Sequence, residues 1–231
     1  MMIHQLIFAH PKPGMSEADF QRYWVETHGP DYAAKIPQIR RYCVDTRIPL
    51  GPEPADPLWS GIAEIWLANE EEQLASLQTP EFLEGARLDE PRWAAFWRTV
   101  VLDTDAHTLL PGPGPAEPNP VKLVLLAKRA NGLDLAEFRR RSLEEHAQLA
   151  LKVPGLRRYQ QCHVRDGAYA IGEAVLDIAH QFWFDSEEAL RAAVGGPEFA
   201  EYEADLATFT EPRYVHRMAV REHWLIGSES D

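Results

Sequence analysis

GMSEADFQRYWVETH, residues 14–28, aligns without a gap on GLDLAEFRRRSLEEH, residues 132–146, at an offset of 118. Further along, PQIRRY from Pro37 matches PGLRRY from Pro154 at 117, and IWLANEEEQLASLQTPEF matches FWFDSEEALRAAVGGPEF, their final Phe82 and Phe199 again 117 apart. HTLL from His107 answers HWLI from His223 at 116. Four blocks in one order, with the offset drifting by two residues, make the chain a tandem duplication. PGPGPAEPNP, residues 111–120, separates the copies; five prolines and two glycines favour a stiff extended spacer. The expected domains are repeat 1 over 1–110, a Pro-rich linker over 111–120, and repeat 2 over 121–231.

Each copy reads strand, helix, strand, strand, helix, strand. Residues 3–9 and 121–127 are short apolar runs bounded by turn residues, the pattern of strands. Ser16 is placed to cap a helix, with Asp19 three residues on and Met15 and Phe20 as a hydrophobic staple; Asp134, Glu137, Leu133 and Phe138 repeat the device. Phe20, Tyr23, Trp24, Thr27 and His28 then fall on one helix face. Arg41–Thr46 and Ile62–Leu67 read as strands, Glu70–Leu77 and Ser186–Val194 as second helices, and Trp97–Asp103 and Tyr214–His223 as last strands. This β-α-β-β-α-β order is the ferredoxin-like pattern, an antiparallel sheet with helices on one face. The expected fold class is therefore α+β: two tandem ferredoxin-like units packed sheet to sheet as an α+β barrel.

Composition narrows the function. The 231 residues carry a formal net charge of −13, which argues against nucleic acid and anionic membrane as partners. Cys43 and Cys162 make no disulfide framework, and no C-x-x-C pair is present. The opening MMIHQLIFAHPKPG has no long apolar run or cleavage-like tail, so no signal peptide is expected in it, and no run approaches the ~20 apolar residues of a membrane span. The expectation is a soluble cytoplasmic protein, either a monomer with an internal pseudo-dimer or a homodimer.

The combination G-[ML]-x-x-x-[DE]-F-x-x-[YR]-x-x-x-x-H, then P-x-[IL]-R-R-Y, a Trp strand, a capped helix and P-E-F resembles the EthD family of the dimeric α+β barrel superfamily. The resemblance covers nearly the whole chain apart from the linker and the Pro-rich loop Ile48–Pro57. It implies ferredoxin-like units that close a barrel in pairs. For function it implies a range: dehydratase-like proteins of polyketide pathways, isomerases, cyclases, cofactor-free quinone-forming monooxygenases and haem-degrading enzymes. Fold alone does not choose among them.

His28 is the leading catalytic candidate. The resemblance places it at the family's first-helix histidine, and it shares a helix face with Phe20 and Trp24. Pro30 removes a helical donor, so a kink beside His28 is expected to open space against the sheet. An imidazole there suits acid/base work; a buried histidine bonded to a backbone carbonyl is the other reading. His146 is its counterpart, but Tyr23-Trp24 become Arg141-Ser142 and Gly29-Pro30 become Ala147-Gln148, removing the aromatic wall and the kink. Tyr42, matched by Tyr159, is a candidate to exchange a proton with a substrate oxygen, or an ordinary core tyrosine. His4, Leu6, Tyr23, Trp24 and Glu64 complete the expected substrate-binding set, with His4 and Leu6 sharing a face of the first strand.

No H-x-x-x-H or H-E-x-x-H spacing occurs, so no metal is expected. With no G-x-G-x-x-G or P-loop either, the expectation is a cofactor-free protein; haem is the one group for which His28 or His107 could serve as ligand. The leading expectation is a small enzyme acting on an apolar or aromatic carbonyl or hydroxyl compound by histidine acid/base chemistry, of the dehydratase, cyclase or isomerase type. The alternatives are a non-catalytic ligand-binding accessory protein and an EthD-like oxidoreductase or monooxygenase, with or without haem. The divergence between copies points to repeat 1 as the working half.

Overall fold

Both copies begin on an extended strand that turns into a capped helix. In the computed structural model, which describes residues 2–52, 56–112 and 120–227, the Ser16 hydroxyl accepts the Asp19 N–H at 3.1 Å and the Asp134 carboxylate accepts the N–H groups of Ala136 and Glu137. Residues 113–119, most of the expected linker, and residues 53–55 lie outside the described residues.

Copy 1 contains β1 (Ile3–Ala9), α1 (Glu17–Tyr23), β2 (Ile39–Ile48), β3 (Gly61–Leu67), α2 (Glu70–Ser76) and β4 (Val100–Leu110). Copy 2 contains β5 (Val121–Arg129), α3 (Leu135–Arg141), β6 (Arg158–Val164), β7 (Ile178–Phe184), α4 (Glu187–Val194), α5 (Pro197–Leu206) and β8 (Thr210–Ile226). The fold is α+β with the ferredoxin-like order in each copy. Antiparallel pairing gives the order β4-β1-β3-β2 within copy 1 and β5-β7-β6 within copy 2.

Two compact units emerge. Unit 1 gathers the chain up to Thr104 with the stretch from Arg221 onward; unit 2 is Asp105–Val220. Within unit 1, β2 pairs β3 with Tyr42 opposite Ile65 and Val44 opposite Ala63. Within unit 2, β6 pairs β7 with Tyr159 opposite Phe182 and Gln161 opposite His180. Every partner is displaced by 117, so the repeat persists at the level of strand register.

Alternation assigns the strand faces. In unit 1, Ile3, Ala9, Tyr42, Val44, Ala63 and Ile65 join Phe20 and Trp24 in one buried core between sheet and helices. His4, Leu6, Cys43 and Glu64 point from the opposite face and are buried as well.

The first helices differ from expectation. The sequence predicts a proline kink in copy 1 and none in copy 2. Instead both helices widen into one π-helical turn, Trp24–His28 and Ser142–His146, in which the Gly29 N–H reaches the Trp24 carbonyl and the Ala147 N–H reaches the Ser142 carbonyl. Gln148 stands where copy 1 has Pro30, so the proline is not the cause.

Two further departures shape the site. Phe96–Arg98 forms a tight 3₁₀ turn, with Arg98 N–H on the Ala95 carbonyl and Thr99 N–H on the Phe96 carbonyl, so β4 starts at Val100 rather than Trp97. After α2, copy 1 makes a second π turn, Glu81–Ala86, where copy 2 runs the regular helix α5. A π turn holds one extra residue. That residue is why the offset falls from 117 at Phe82/Phe199 to 116 beyond it.

No helix among the described residues is long and apolar enough to cross a membrane.

Candidate functional site

Successive turns of the first helix send Phe20, Trp24 and His28 toward the sheet, where all three are buried. The wide turn ending at His28 sets its ring beneath Trp93, ring centroids 4.6 Å apart. His28 Nδ1 lies 2.9 Å from Asp89 Oδ2. Asp89 is itself buried; its other oxygen accepts the Tyr23 hydroxyl at 2.8 Å and faces the Arg92 guanidinium at 3.3 Å.

The electrostatics follow. Burial lowers the pKa of His28, and the hydrogen bond and charge of Asp89 pull the other way. With Nδ1–H donated to the carboxylate, a neutral imidazole leaves Nε2 as a bare acceptor.

His28 and Trp24 face a cavity of about 450 Å³ between helices and sheet. Tyr42, Ala63, Ile65, Ala86 and Trp93 form much of its wall, with Gln5, Glu90 and Asp103 as polar points. Its lining contains no lysine or arginine among the described residues. Leu77, Phe96 and Val101 stand at the rim and are 42%, 63% and 51% exposed. Burial and the adjacent Asp89 raise the Glu90 carboxyl to about 7, against the pull of Arg87. The cavity thus holds an oriented imidazole and a carboxyl that is half protonated near neutrality.

The structure brings some predicted residues together and separates others. Trp24, His28 and Tyr42 share the cavity. The Tyr42 hydroxyl accepts the Trp24 indole N–H at 3.1 Å, and burial raises its pKa, so it stays a phenol. Tyr23 is outside the cavity wall, its hydroxyl donated to Asp89. His4, Leu6 and Glu64 are on the opposite sheet face, because β1 turns Gln5, Ile7 and Ala9 toward His28 instead. There His4 Nε2 meets Glu64 Oε2 at 2.5 Å and the His4 ring stacks on Trp66 at 4.3 Å. That face also brings ligand atoms of Cys43, Asp45 and Glu222 within 4.8 Å of one another, each engaged with other groups.

His146 repeats the pairing of His28 in unit 2: its Nδ1 lies 2.8 Å from Asp205 Oδ2. The surroundings are closed. His146 is fully buried, its ring 4.2 Å from Tyr202 and 5.1 Å from Phe209. Burial lowers its pKa to about 4, outweighing Asp205. His107 packs edge-on to His163 at 5.2 Å in the same unit.

Sequence reading missed Asp89, Glu90 and Trp93. A signal existed: Asp89-x-x-x-Trp93 and Asp205-x-x-x-Phe209 share the offset of 116, a fifth repeated block too short to stand out.

The EthD domain model matches residues 12–96 and 130–213. No curated protein matches the chain. Among solved structures, an anthrone oxidase-like protein superposes with a TM-score of 0.66 at 13% identity, covering 97% of this chain and 92% of its own. A candidate monooxygenase from Fusobacterium nucleatum gives 0.65 at 6% identity, covering 98% and 95%. A candidate chlorite dismutase gives 0.51 at 13% identity, covering 96% and 94%. At these identities the likeness is one of fold. The two matched segments together span well over half of the residues, and the chain belongs to the EthD domain family, with the domain present twice.

Proposed function

We propose that the repeat 1 cavity binds an uncharged, flat aromatic carbonyl or hydroxyl compound and that the protein oxidises it without a cofactor. His28 is the base. The observation that carries the reading is the His28–Asp89 pair beside an aromatic-walled cavity: Nδ1 is held by the carboxylate and the ring faces the open space. Such an arrangement orients a general base and stabilises the imidazolium it becomes.

In this reading His28 Nε2 takes a proton from an acidic CH₂ or OH of the substrate. Glu90 donates a hydrogen bond to the oxygen on which negative charge collects. The aromatic carbanion then passes its electrons to dioxygen. For a CH₂ flanked by two aromatic rings, the carbon loses two hydrogens and gains one oxygen atom as a carbonyl. The second oxygen atom leaves as water with those two hydrogens, so one dioxygen is consumed per substrate. The absence of lysine and arginine from the lining among the described residues favours a substrate without carboxylate or phosphate. The names of two fold relatives, an anthrone oxidase-like protein and a candidate monooxygenase, support the oxidative outcome.

The test is dioxygen uptake by the purified protein with anthrone. One dioxygen consumed per anthrone, at a rate lost in His28→Ala, supports the reading. Conversion that continues under nitrogen points to an elimination, cyclisation or isomerisation at the same base. Binding with no conversion in either atmosphere leaves an accessory ligand carrier, and a Soret band in the purified protein overturns the cofactor-free step.

A further inference from the structure

We propose that repeat 2 retains a closed second copy of this site, in which the Tyr202 side chain fills the place of the ligand. In repeat 1, Ala86 and Ala63 are the residues that keep the cavity open. The inference rests on the reading of the repeat 1 cavity as a ligand site and extends it to a part of the chain with no assigned role.

The correspondence is fixed by register. His28 and His146 share the offset of the first helices, and each ends a π turn. Asp89 and Asp205 each hold the Nδ1 of that histidine, at 2.9 and 2.8 Å. Trp93 and Phe209 each lie against its ring, at 4.6 and 5.1 Å. Strand pairing places Ala63 opposite Val44 in unit 1 and His180 opposite Gln161 in unit 2. The offset is 117 at Phe82 and 116 at Asp89, and of the two residues that can then match Tyr202, Gly85 and Ala86, it is Ala86 that is buried and lines the cavity.

The exchanges run in one direction. Ala86 and Ala63 both line the open cavity. Tyr202 is fully buried with its ring 4.2 Å from His146, and His180 is fully buried with its ring 5.5 Å from His146. Where repeat 1 has two methyl-sized side chains, repeat 2 has two large rings, both packed near the imidazole that the copies share. A phenol ring packed on that imidazole is what a bound aromatic ligand would look like there.

The remaining polar atoms point the same way. His146 Nε2, the atom that acts as the base in repeat 1, is buried with no hydrogen-bond partner among the described residues, and so is His180 Nε2. A buried acceptor without a partner costs stability, so its persistence beside a packed ring calls for an account. Phe or Leu in place of His146 would avoid that cost. The orphaned acceptor fits a site whose occupant has been replaced by the chain's own tyrosine.

The test opens one site and closes the other, using 1-naphthol as the probe. Wild type binds one equivalent by calorimetry. Tyr202→Ala binds two, Ala86→Tyr binds none, and the double variant binds one, moved to repeat 2. Diethyl pyrocarbonate labelling of His146, mapped by mass spectrometry, rises at least about tenfold in Tyr202→Ala, as expected when a buried group gains open access. A cooperatively folded Tyr202→Ala that binds one equivalent and keeps His146 protected overturns the proposal. Should that variant not fold, Ala86→Tyr decides, since a folded Ala86→Tyr protein that still binds one equivalent also overturns it. Failure of wild type to bind 1-naphthol counts against the proposed ligand class; the labelling of His146 then judges the second site on its own.

Discussion

His28 Nδ1 and Asp89 Oδ2 stand 2.9 Å apart across 61 residues of chain, and the same bond recurs between His146 and Asp205. The copies have exchanged Trp24 for Ser142, Ala63 for His180 and Ala86 for Tyr202 around that bond. Its survival sets the geometry of the imidazole; the exchanges around it set access. The function proposed for repeat 1 therefore depends on both a held histidine and the small residues beside it.

Asp89→Asn tests the first requirement. The amide removes the negative charge that supports His28 as a cation and permits the wrong tautomer. Turnover of anthrone is expected to fall by about a hundredfold or more with KM within about threefold, the pattern of an interaction made in the transition state. Because the carboxylate raises the pKa of His28, an NMR titration of that ring should show the pKa falling further in the variant.

Tyr42→Phe separates packing from chemistry. The tyrosine hydroxyl accepts the Trp24 indole N–H at 3.1 Å, and its loss leaves that buried donor unpaired, at a cost of about 1–3 kcal/mol. Urea unfolding should report this loss while kcat stays within about threefold of wild type. A far larger fall in kcat would make Tyr42 a proton-transfer residue.

Stability should fall on acidification. His28 has a lowered pKa, and burial lowers His146 to about 4, His163 to about 3 and His180 well below its ordinary value. A histidine whose folded pKa lies below its unfolded value near 6.5 contributes stability above that value, lost as pH falls through the folded pKa. For His146 the contribution is on the order of 3 kcal/mol. Glu90, raised to about 7, acts in the opposite sense: its contribution is present below pH 4.5 and lost as pH rises through 7. Three of the four histidines belong to unit 2, so amide exchange between pH 6.5 and 4 should rise there before it rises in unit 1.

Much of this was legible in the sequence and some was not, for definite reasons. Phe20, Trp24 and His28 are placed by helical spacing, and the Pro-Glu-Phe and Arg-Arg-Tyr blocks fix the two copies. β1 was ambiguous because both of its rows are buried: His4, Leu6 and Phe8 on one face, Ile3 and Ala9 on the other. A strand covered on both sides carries no polar–apolar alternation to assign its faces. The π turns left no mark, since widening a helix by one residue needs no particular side chain. Asp89 and Glu90 sit in a short segment that reads as a solvated charge run until the fold places it over His28.

Glu90→Gln should reshape the pH profile. With its carboxyl raised to about 7, wild-type turnover should decline as pH rises through 7, because the donor to the substrate oxygen is lost. The glutamine variant keeps a hydrogen-bond donor at all pH values. Its alkaline limb should flatten, while the acidic limb governed by protonation of His28 remains.

The most direct measurement compares anthrone-dependent dioxygen uptake in His28→Ala and His146→Ala at equal folded fraction. Replacing His28 should lower the rate by at least about a hundredfold, the scale of removing a general base. Replacing His146 should leave kcat within about threefold of wild type, since that ring is sealed beneath Tyr202. A larger loss from the His146 substitution, or full activity without the His28 imidazole, would contradict the assignment of the working site to repeat 1.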